Sequence, residues 1–175
     1  MTELWIDRIE SPIGQIALVV DGDHLCALSF TDHEARMMTL LARRYKSVEL
    51  VPQSNPLGLT ERLQAYLAGE LTSLKGIPVR MGGTAFQRQI WSKLQEIPVS
   101  ETWTYGQLAK SIDRPTASRA VGMANSLNPI AIVVPCHRVV GAKGKLTGYA
   151  EGLDRKLWLL QHEGCISKGV FPENI

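Results

Sequence analysis

The chain has 175 residues, 45% of them hydrophobic and 21% charged, and carries a formal net charge of +2. This is the composition of a globular protein of one domain or two small ones, and it excludes disordered and collagen-like chains. Three cysteines, Cys26, Cys136 and Cys165, are too few for a disulfide framework. With no CxxC or HxxxH pair, no metal is expected. The longest apolar runs, such as 130–134, are far too short to cross a bilayer, and Met1-Thr2-Glu3-Leu4 lacks the basic and apolar blocks of a signal peptide. A cytoplasmic protein with no membrane partner is expected.

The first 30 residues read as strands. Trp5, Ile6 and Ile9 precede the turn Ser11-Pro12-Ile13-Gly14, and apolar runs at 16–20 and 25–30 flank the turn Asp21-Gly22-Asp23. Thr31-Asp32-His33-Glu34 has the spacing of a capping box and opens a helix to about Tyr45. A short strand falls near 48–51. A second helix spans about 58–68, with Leu63, Tyr66 and Leu67 on one face and Gly69 at its end. The stretch 75–83 is weakly patterned, which places a domain boundary there and gives domains 1–80 and 81–175.

The second half is mainly helical. Thr84 and Gln87 frame another capping box, followed by the apolar stripe Phe86, Ile90, Leu94 and Ile97 up to Pro98. Thr104 caps a short helix over 105–111, Arg114-Pro115 turns the chain, and a third helix covers about 116–126. Two short helices across a tight turn have the pattern of a helix-turn-helix, and of many other helical hairpins. The run 130–134 is a strand candidate that leads into Pro135-Cys136-His137-Arg138. A Gly-rich loop fills 141–148. A last helix over about 153–163 turns Leu153, Leu157 and Leu160 inward and stops at Gly164. Residues 1–80 hold 8 basic and 10 acidic side chains, net −2, and residues 81–175 hold 11 and 7, net +4. The basic half suits phosphate contact, and an ordinary surface fluctuation accounts for it equally well.

Cys136 beside His137 is the candidate chemistry. A thiol attacks carbon as the thiolate, and an ordinary cysteine with a pKa of about 8.5 is mostly protonated at neutral pH. Neighbouring side chains on a strand point to opposite faces, so His137 reaches the sulfur directly only in an irregular turn, and otherwise through a bridging water. A base of this kind needs an orienting group, for which Glu163 is the candidate. A lone cysteine is more commonly a buried structural one, as Cys26 and Cys165 are read to be.

The runs Asn128-Pro129-Ile130-Ala131, Pro135-Cys136-His137-Arg138-Val139-Val140-Gly141, Arg119-Ala120-Val121-Gly122 and Leu146-Thr147-Gly148-Tyr149 carry a resemblance, with Trp158-Leu159-Leu160 and His162-Glu163. The chain resembles the O6-alkylguanine-DNA alkyltransferases, also called methylated-DNA–protein-cysteine methyltransferases. The likeness is close over 83–164 and looser before residue 80. It implies an α+β fold, with a ribonuclease-H-like structural domain over 1–80 and a mainly helical DNA-binding and alkyl-transfer domain, with a helix-turn-helix, over 81–175. It implies DNA repair by stoichiometric transfer of an alkyl group from O6-alkylguanine, with O4-alkylthymine left open, to Cys136. His137 is then the base acting through water, Glu163 its orienter, and Asn128 the amide that ties the active-site turn together.

The resemblance further implies that Tyr105 bonds the base ring and stabilises the leaving guanine. Arg119 fills the space left by an extruded nucleotide, and Ala120, Ala124 and Ser126 are small enough to lie against the minor groove of double-stranded DNA, though they suit helix packing equally well. Pro135, Gly148, Tyr149 and Ala150 wall the pocket. Lys110, Arg114 and Lys143 are candidate phosphate contacts. Glu151 stands where many relatives have Gly, and Asn125 occupies a variable helix position. No cofactor is expected. A monomer is expected, with cooperativity on DNA left open. Two other readings are weighed against this one: a module that binds alkylated bases without repair, and a cysteine hydrolase that turns over.

Overall fold

The computed structural model describes residues 1–167, so the end of the expected second domain, 168–175, lies outside the described residues. The chain divides into two compact units. One holds residues 1–82 and 129–133, and the other holds 83–128 and the chain from Val134 onward.

The first unit is built on a four-stranded sheet. Strands β1 (Thr2–Ile9), β2 (Ile16–Asp21) and β3 (His24–Phe30) form an antiparallel meander. Helix α1 (Glu34–Arg44) then carries the chain back to β4 (Val48–Pro52), which pairs parallel to β1 from Thr2 opposite Val48 to Ile6 opposite Pro52. The order is β3-β2-β1-β4. One core cluster joins Leu4, Ile6, Ala17, Val19, Cys26 and Ala27 of the sheet to Met37 and Leu41 of α1. Helix α2 (Leu59–Leu67) buries Leu63 and Tyr66 and ends at Gly69, whose φ is 113.

Two expectations change in this unit. The capping box at Thr31 does not form, because a 3-10 turn over Thr31–His33 precedes α1 and puts Thr31 inside the first turn rather than before it. The expected strand over 130–134 is a single bridge, Leu28 to Ile130, with Leu28 N–H donating to Pro129 at 3.1 Å and Ala131 N–H donating to Leu28 at 3.0 Å. That pairing with β3 is what assigns 129–133 to the first unit. The ladder stops because Val133 N–H closes onto the Ala131 carbonyl at 2.8 Å, with Ile132 between them at φ 68. A β-branched residue at positive φ is strained, and such strain concentrates near functional segments.

The second unit is mainly helical: α3 (Ala85–Leu94), α4 (Tyr105–Ser111), α5 (Ser118–Ser126) and α6 (Leu153–His162). Both capping boxes of this half form completely, Thr84 with Gln87 and Thr104 with Gln107. The two-residue strands β5 (Trp103–Thr104) and β6 (Val139–Val140) pair in parallel, an element too short to show a period in the sequence. Trp91 of α3 donates its indole N–H to the Ala124 carbonyl of α5 at 2.9 Å, which pins the two helices together.

Gly83 opens this unit at φ 79, and a Cβ there would lie 2.6 Å from the Trp91 ring and 2.7 Å from Gln87 Oε1. Gly83→Ala is expected to destabilise the protein by about 1–3 kcal/mol, because it adds both left-handed strain and overpacking. Urea unfolding of the two proteins measures this. Among the described residues no helix is long and apolar enough to cross a membrane.

Candidate active site

Cys136 is presented by a tight reversal. Its N–H closes onto the Val134 carbonyl at 2.8 Å around Pro135, whose φ is −84 and ψ 66. Asn128 Nδ2 donates to the same carbonyl at 2.8 Å. Two donors on one oxygen fix the turn. A 3-10 turn over Cys136–Arg138 follows, so neighbouring side chains escape the opposed arrangement of a strand.

Behind the thiol lies a buried ionic cluster. His137 is fully buried, and Glu163 and Arg138 are 1% and 8% exposed. Glu163 Oε2 stands 3.0 Å from His137 Nε2. Arg138 donates from Nε to Glu163 Oε1 at 2.7 Å and from Nη2 to Oε2 at 3.0 Å, and from Nη1 to the Ile97 carbonyl at 2.7 Å. Glu163 caps α6 just before Gly164, which at φ 79 lets Cys165 N–H return to the Leu160 carbonyl at 2.8 Å.

The charges follow from these contacts. Burial alone would raise the Glu163 pKa, but the hydrogen bond from His137 and the bonds and charge of Arg138 outweigh it and hold the carboxyl well below the usual range. Burial lowers the His137 pKa, with Glu163 opposing and Arg138 and Lys156 assisting, so the ring is neutral at pH 7. A neutral ring facing a carboxylate donates its Nε2 proton there. That leaves the lone pair on Nδ1, which is buried and has no hydrogen-bond partner among the described residues. The ring is a base with its orienting partner already in place.

Cys136 is 6% exposed and opens on a cavity of about 280 Å³ lined by Tyr105, Gly122, Asn125, Ser126, Gly148, Tyr149 and Ala150. Tyr105 donates its hydroxyl to the Thr147 carbonyl at 3.2 Å. Burial raises its pKa, so it is a neutral phenol at pH 7. Asn125 Nδ2 reaches the Cys136 carbonyl at 3.5 Å. Glu151, beside the lining loop, is itself buried at 2% exposure.

Lys156 is a member of this site that the sequence did not single out. It is fully buried on α6, and Nζ donates to the carbonyls of Thr147 and Gly148 at 3.0 and 3.1 Å. Burial pulls its pKa down to about 8, with the charge of Cys136 acting in the opposite direction. Its signal was its register: it lies three residues after Leu153 and four before Leu160, on the inward stripe. Arg138 was legible only as part of a motif.

Of the other expected residues, Arg119 and Ala120 are exposed on α5, and Ser126 is exposed at the cavity wall. Ala124 is not on that surface. It is 2% exposed, so it packs inside the unit rather than facing DNA, while its backbone carbonyl accepts from Trp91. Pro135 is buried as the residue that starts the cysteine turn, while Gly148, Tyr149 and Ala150 supply the cavity wall. Lys110, Arg114 and Lys143 are exposed, with Arg114 lying over the Phe86 ring at 5.6 Å. Burial pushes the thiols of Cys26 and Cys165 up to about 11, which suppresses their reactivity. Among the described residues no three His, Cys, Asp or Glu side chains converge to hold a metal.

Two family models match the chain. The 6-O-methylguanine DNA methyltransferase, ribonuclease-like domain, matches residues 7–81, and the DNA binding domain of the same name matches 85–165. A methylated-DNA–protein-cysteine methyltransferase of Shigella flexneri is 44% identical over 169 residues, which is 95% of this chain and 99% of that protein. Another from Methanosarcina acetivorans is 47% identical over 155 residues, 89% of this chain and 95% of that protein. The crystal structure of Mycobacterium tuberculosis OGT in complex with DNA is similar with a TM-score of 0.79 and 41% identity, covering 93% of each chain.

Proposed function

Since the chain belongs to the 6-O-methylguanine DNA methyltransferase family, both of whose domain models it matches, we propose that Cys136 takes the alkyl group from O6-alkylguanine in DNA onto its own sulfur. The observation that carries this reading is the placement of Cys136 on a cavity while His137, next in the chain, is held by the buried Glu163. His137 takes the thiol proton at Nδ1 through a bridging water. The thiolate attacks the alkyl carbon, an S–C bond forms, and the O6–C bond breaks with its electron pair going to the base. The proton then passes to the leaving guanine, so the thiol and the alkylated base become a thioether and guanine.

Lys156 favours the thiolate that starts the reaction, since the charge of Cys136 and its own stabilise each other. Tyr105, a neutral donor on the cavity wall, stabilises charge on the departing base. Tyr105→Phe is therefore expected to slow transfer on the order of 10²-fold. The loss of one hydroxyl bond is expected to cost only about 0.5–1.5 kcal/mol of stability. Single-turnover kinetics and urea unfolding separate the two effects.

Cys136 is only 6% exposed, out of reach of a base stacked in a duplex, so the nucleotide is flipped in. Arg119, Ala120 and Ser126 on the exposed side of α5 face the minor groove, with Arg119 filling the gap. Lys110, Arg114 and Lys143 hold phosphates. The first domain supports the second, and the protein acts as a cytoplasmic monomer. A thioether is a stable product, so each molecule works once. Titrating the protein against duplex bearing O6-methylguanine tests this. The expected result is one lesion repaired per protein and a protein heavier by one methyl group. Repair continuing past one equivalent would favour a turning-over enzyme instead.

A further inference from the structure

Among the described residues, the large apolar side chains that remain exposed are Met1, Trp5, Leu57 and Met123. Scattered exposed apolar groups are ordinary in a soluble protein, so exposure alone says little. Met123 is distinguished by its position. It is 63% exposed near the end of α5, the helix whose Gly122, Asn125 and Ser126 line the Cys136 cavity. A helix turns about 100° per residue, which puts Met123 about 40° from Arg119 and about 60° from Ser126 around the axis. The exposed face of α5 thus presents, side by side, a cation, a long apolar side chain and the rim of the reactive cavity. Ser126 reinforces the arrangement by donating its hydroxyl to the Met123 carbonyl at 2.7 Å, with the sulfur 3.9 Å away.

We infer that Met123 is a wedge for duplex DNA, which enters the base stack beside the lesion while Arg119 occupies the vacated position. This rests on the alkyl-transfer reading above. The chemistry fits one occupant. A base step offers flat apolar faces between phosphates, and proteins that unstack such steps from the minor groove use apolar side chains such as Met, Leu, Ile and Phe. Methionine is unbranched and polarisable, so it adapts to whichever bases flank the lesion. Arg119 alone supplies charge and hydrogen bonds to the gap but little apolar surface to hold the neighbouring step open. A surface for a protein partner would be expected to extend as a broad apolar patch, whereas Met123 has the polar, exposed Arg119 and Ser126 beside it on the helix and only the methyl of Ala120 as an exposed apolar neighbour.

The test compares single-turnover transfer by the wild-type protein, Met123→Ala and Met123→Leu. Each is given O6-methylguanine in duplex and in the same strand left single. A wedge is needed only where a stack must be opened. Met123→Ala is expected to slow transfer from duplex about tenfold and from the single strand less than about twofold, with Met123→Leu restoring most of the duplex rate. 2-Aminopurine placed next to the lesion is expected to brighten with wild type and much less with Met123→Ala. Equal duplex rates for wild type and Met123→Ala would overturn the inference, as would equal losses on both substrates, which would mark Met123 as a support of the cavity. Failure of the wild type to methylate itself from either strand form would instead defeat the alkyl-transfer reading, and this inference with it.

Discussion

Glu163→Gln is expected to lose about 3–5 kcal/mol of stability and about 10²–10⁴-fold of the transfer rate together. Glu163 accepts two bonds from Arg138 and faces His137, all three side chains being buried. A neutral amide keeps the shape but leaves the Arg138 guanidinium without a counter-charge in a low-dielectric interior. Removing one partner of a buried pair is far more costly than never having made the pair. For the chemistry, the amide no longer fixes the imidazole with its proton on Nε2, so Nδ1 loses its standing as the base. Asparagine in place of a carboxylate behind a catalytic histidine has large effects in other enzymes for this reason.

The same residue sets the response to acid. The folded pKa of Glu163 lies below its usual value of 4.5, so the unfolded chain binds more protons once the pH drops to about that value. Its stabilising contribution is complete above that point and is lost as pH falls towards the folded pKa. His137, held neutral by burial, acts in the same direction from about pH 6.5 downward, because only its unfolded form gains a proton there. Wild-type stability is expected to fall on acidification, and Glu163→Gln is expected to start lower and to fall less steeply below pH 4.5. Urea midpoints between pH 3 and 7, on the order of two pH units either side of the carboxyl value, trace both curves.

Lys156→Met is expected to slow transfer about 10–100-fold at neutral pH, because a nearby cation lowers an acid's pKa by about 1–3 units. Removing the ammonium leaves the thiol protonated over more of the neutral range. The rate is then expected to recover as the solution becomes alkaline, with the rising limb of the pH profile displaced upward from that of wild type. A residue that only supported the fold would leave that limb in place. The substitution also leaves the carbonyls of Thr147 and Gly148 without their shared donor. That costs about 1–3 kcal/mol per group that stays buried, less where water reaches it. Lys156 and Glu163 therefore differ in signature: one shifts a pH profile, and the other lowers the rate at every pH and destabilises the fold.

The α+β architecture was legible wherever a period or a cap was long enough to repeat. Strands β1 to β3 alternate with turn residues, and Thr84 and Thr104 cap the helices they were expected to cap. Thr31 has the same spacing and does not cap, because the hydrogen-bond choice between a 3-10 turn and an α-helical start is made by the surrounding chain. The run 130–134 has the apolar content of a strand, yet its backbone pairs once and reverses at Ile132, a left-handed position that no residue type announces. Within the site, Cys136, His137 and Glu163 were legible as a motif and a candidate partner. Lys156 was hidden because a lysine among leucines reads as a long side chain reaching solvent. Between the two readings open for Ala124, groove and helix contact, small size could not decide, and its burial in the folded chain favours the helix contact.

The alkyl group is expected to end on the sulfur of Cys136. Peptide mapping by mass spectrometry after reaction with duplex containing isotopically labelled O6-methylguanine tests it most directly. The expected result is the label on the Cys136 peptide alone, as an S-methyl thioether, and no label on a Cys136→Ser protein that still binds the same duplex. Label on Cys26, Cys165 or any other residue, or labelled protein from Cys136→Ser, would show that Cys136 is not the acceptor.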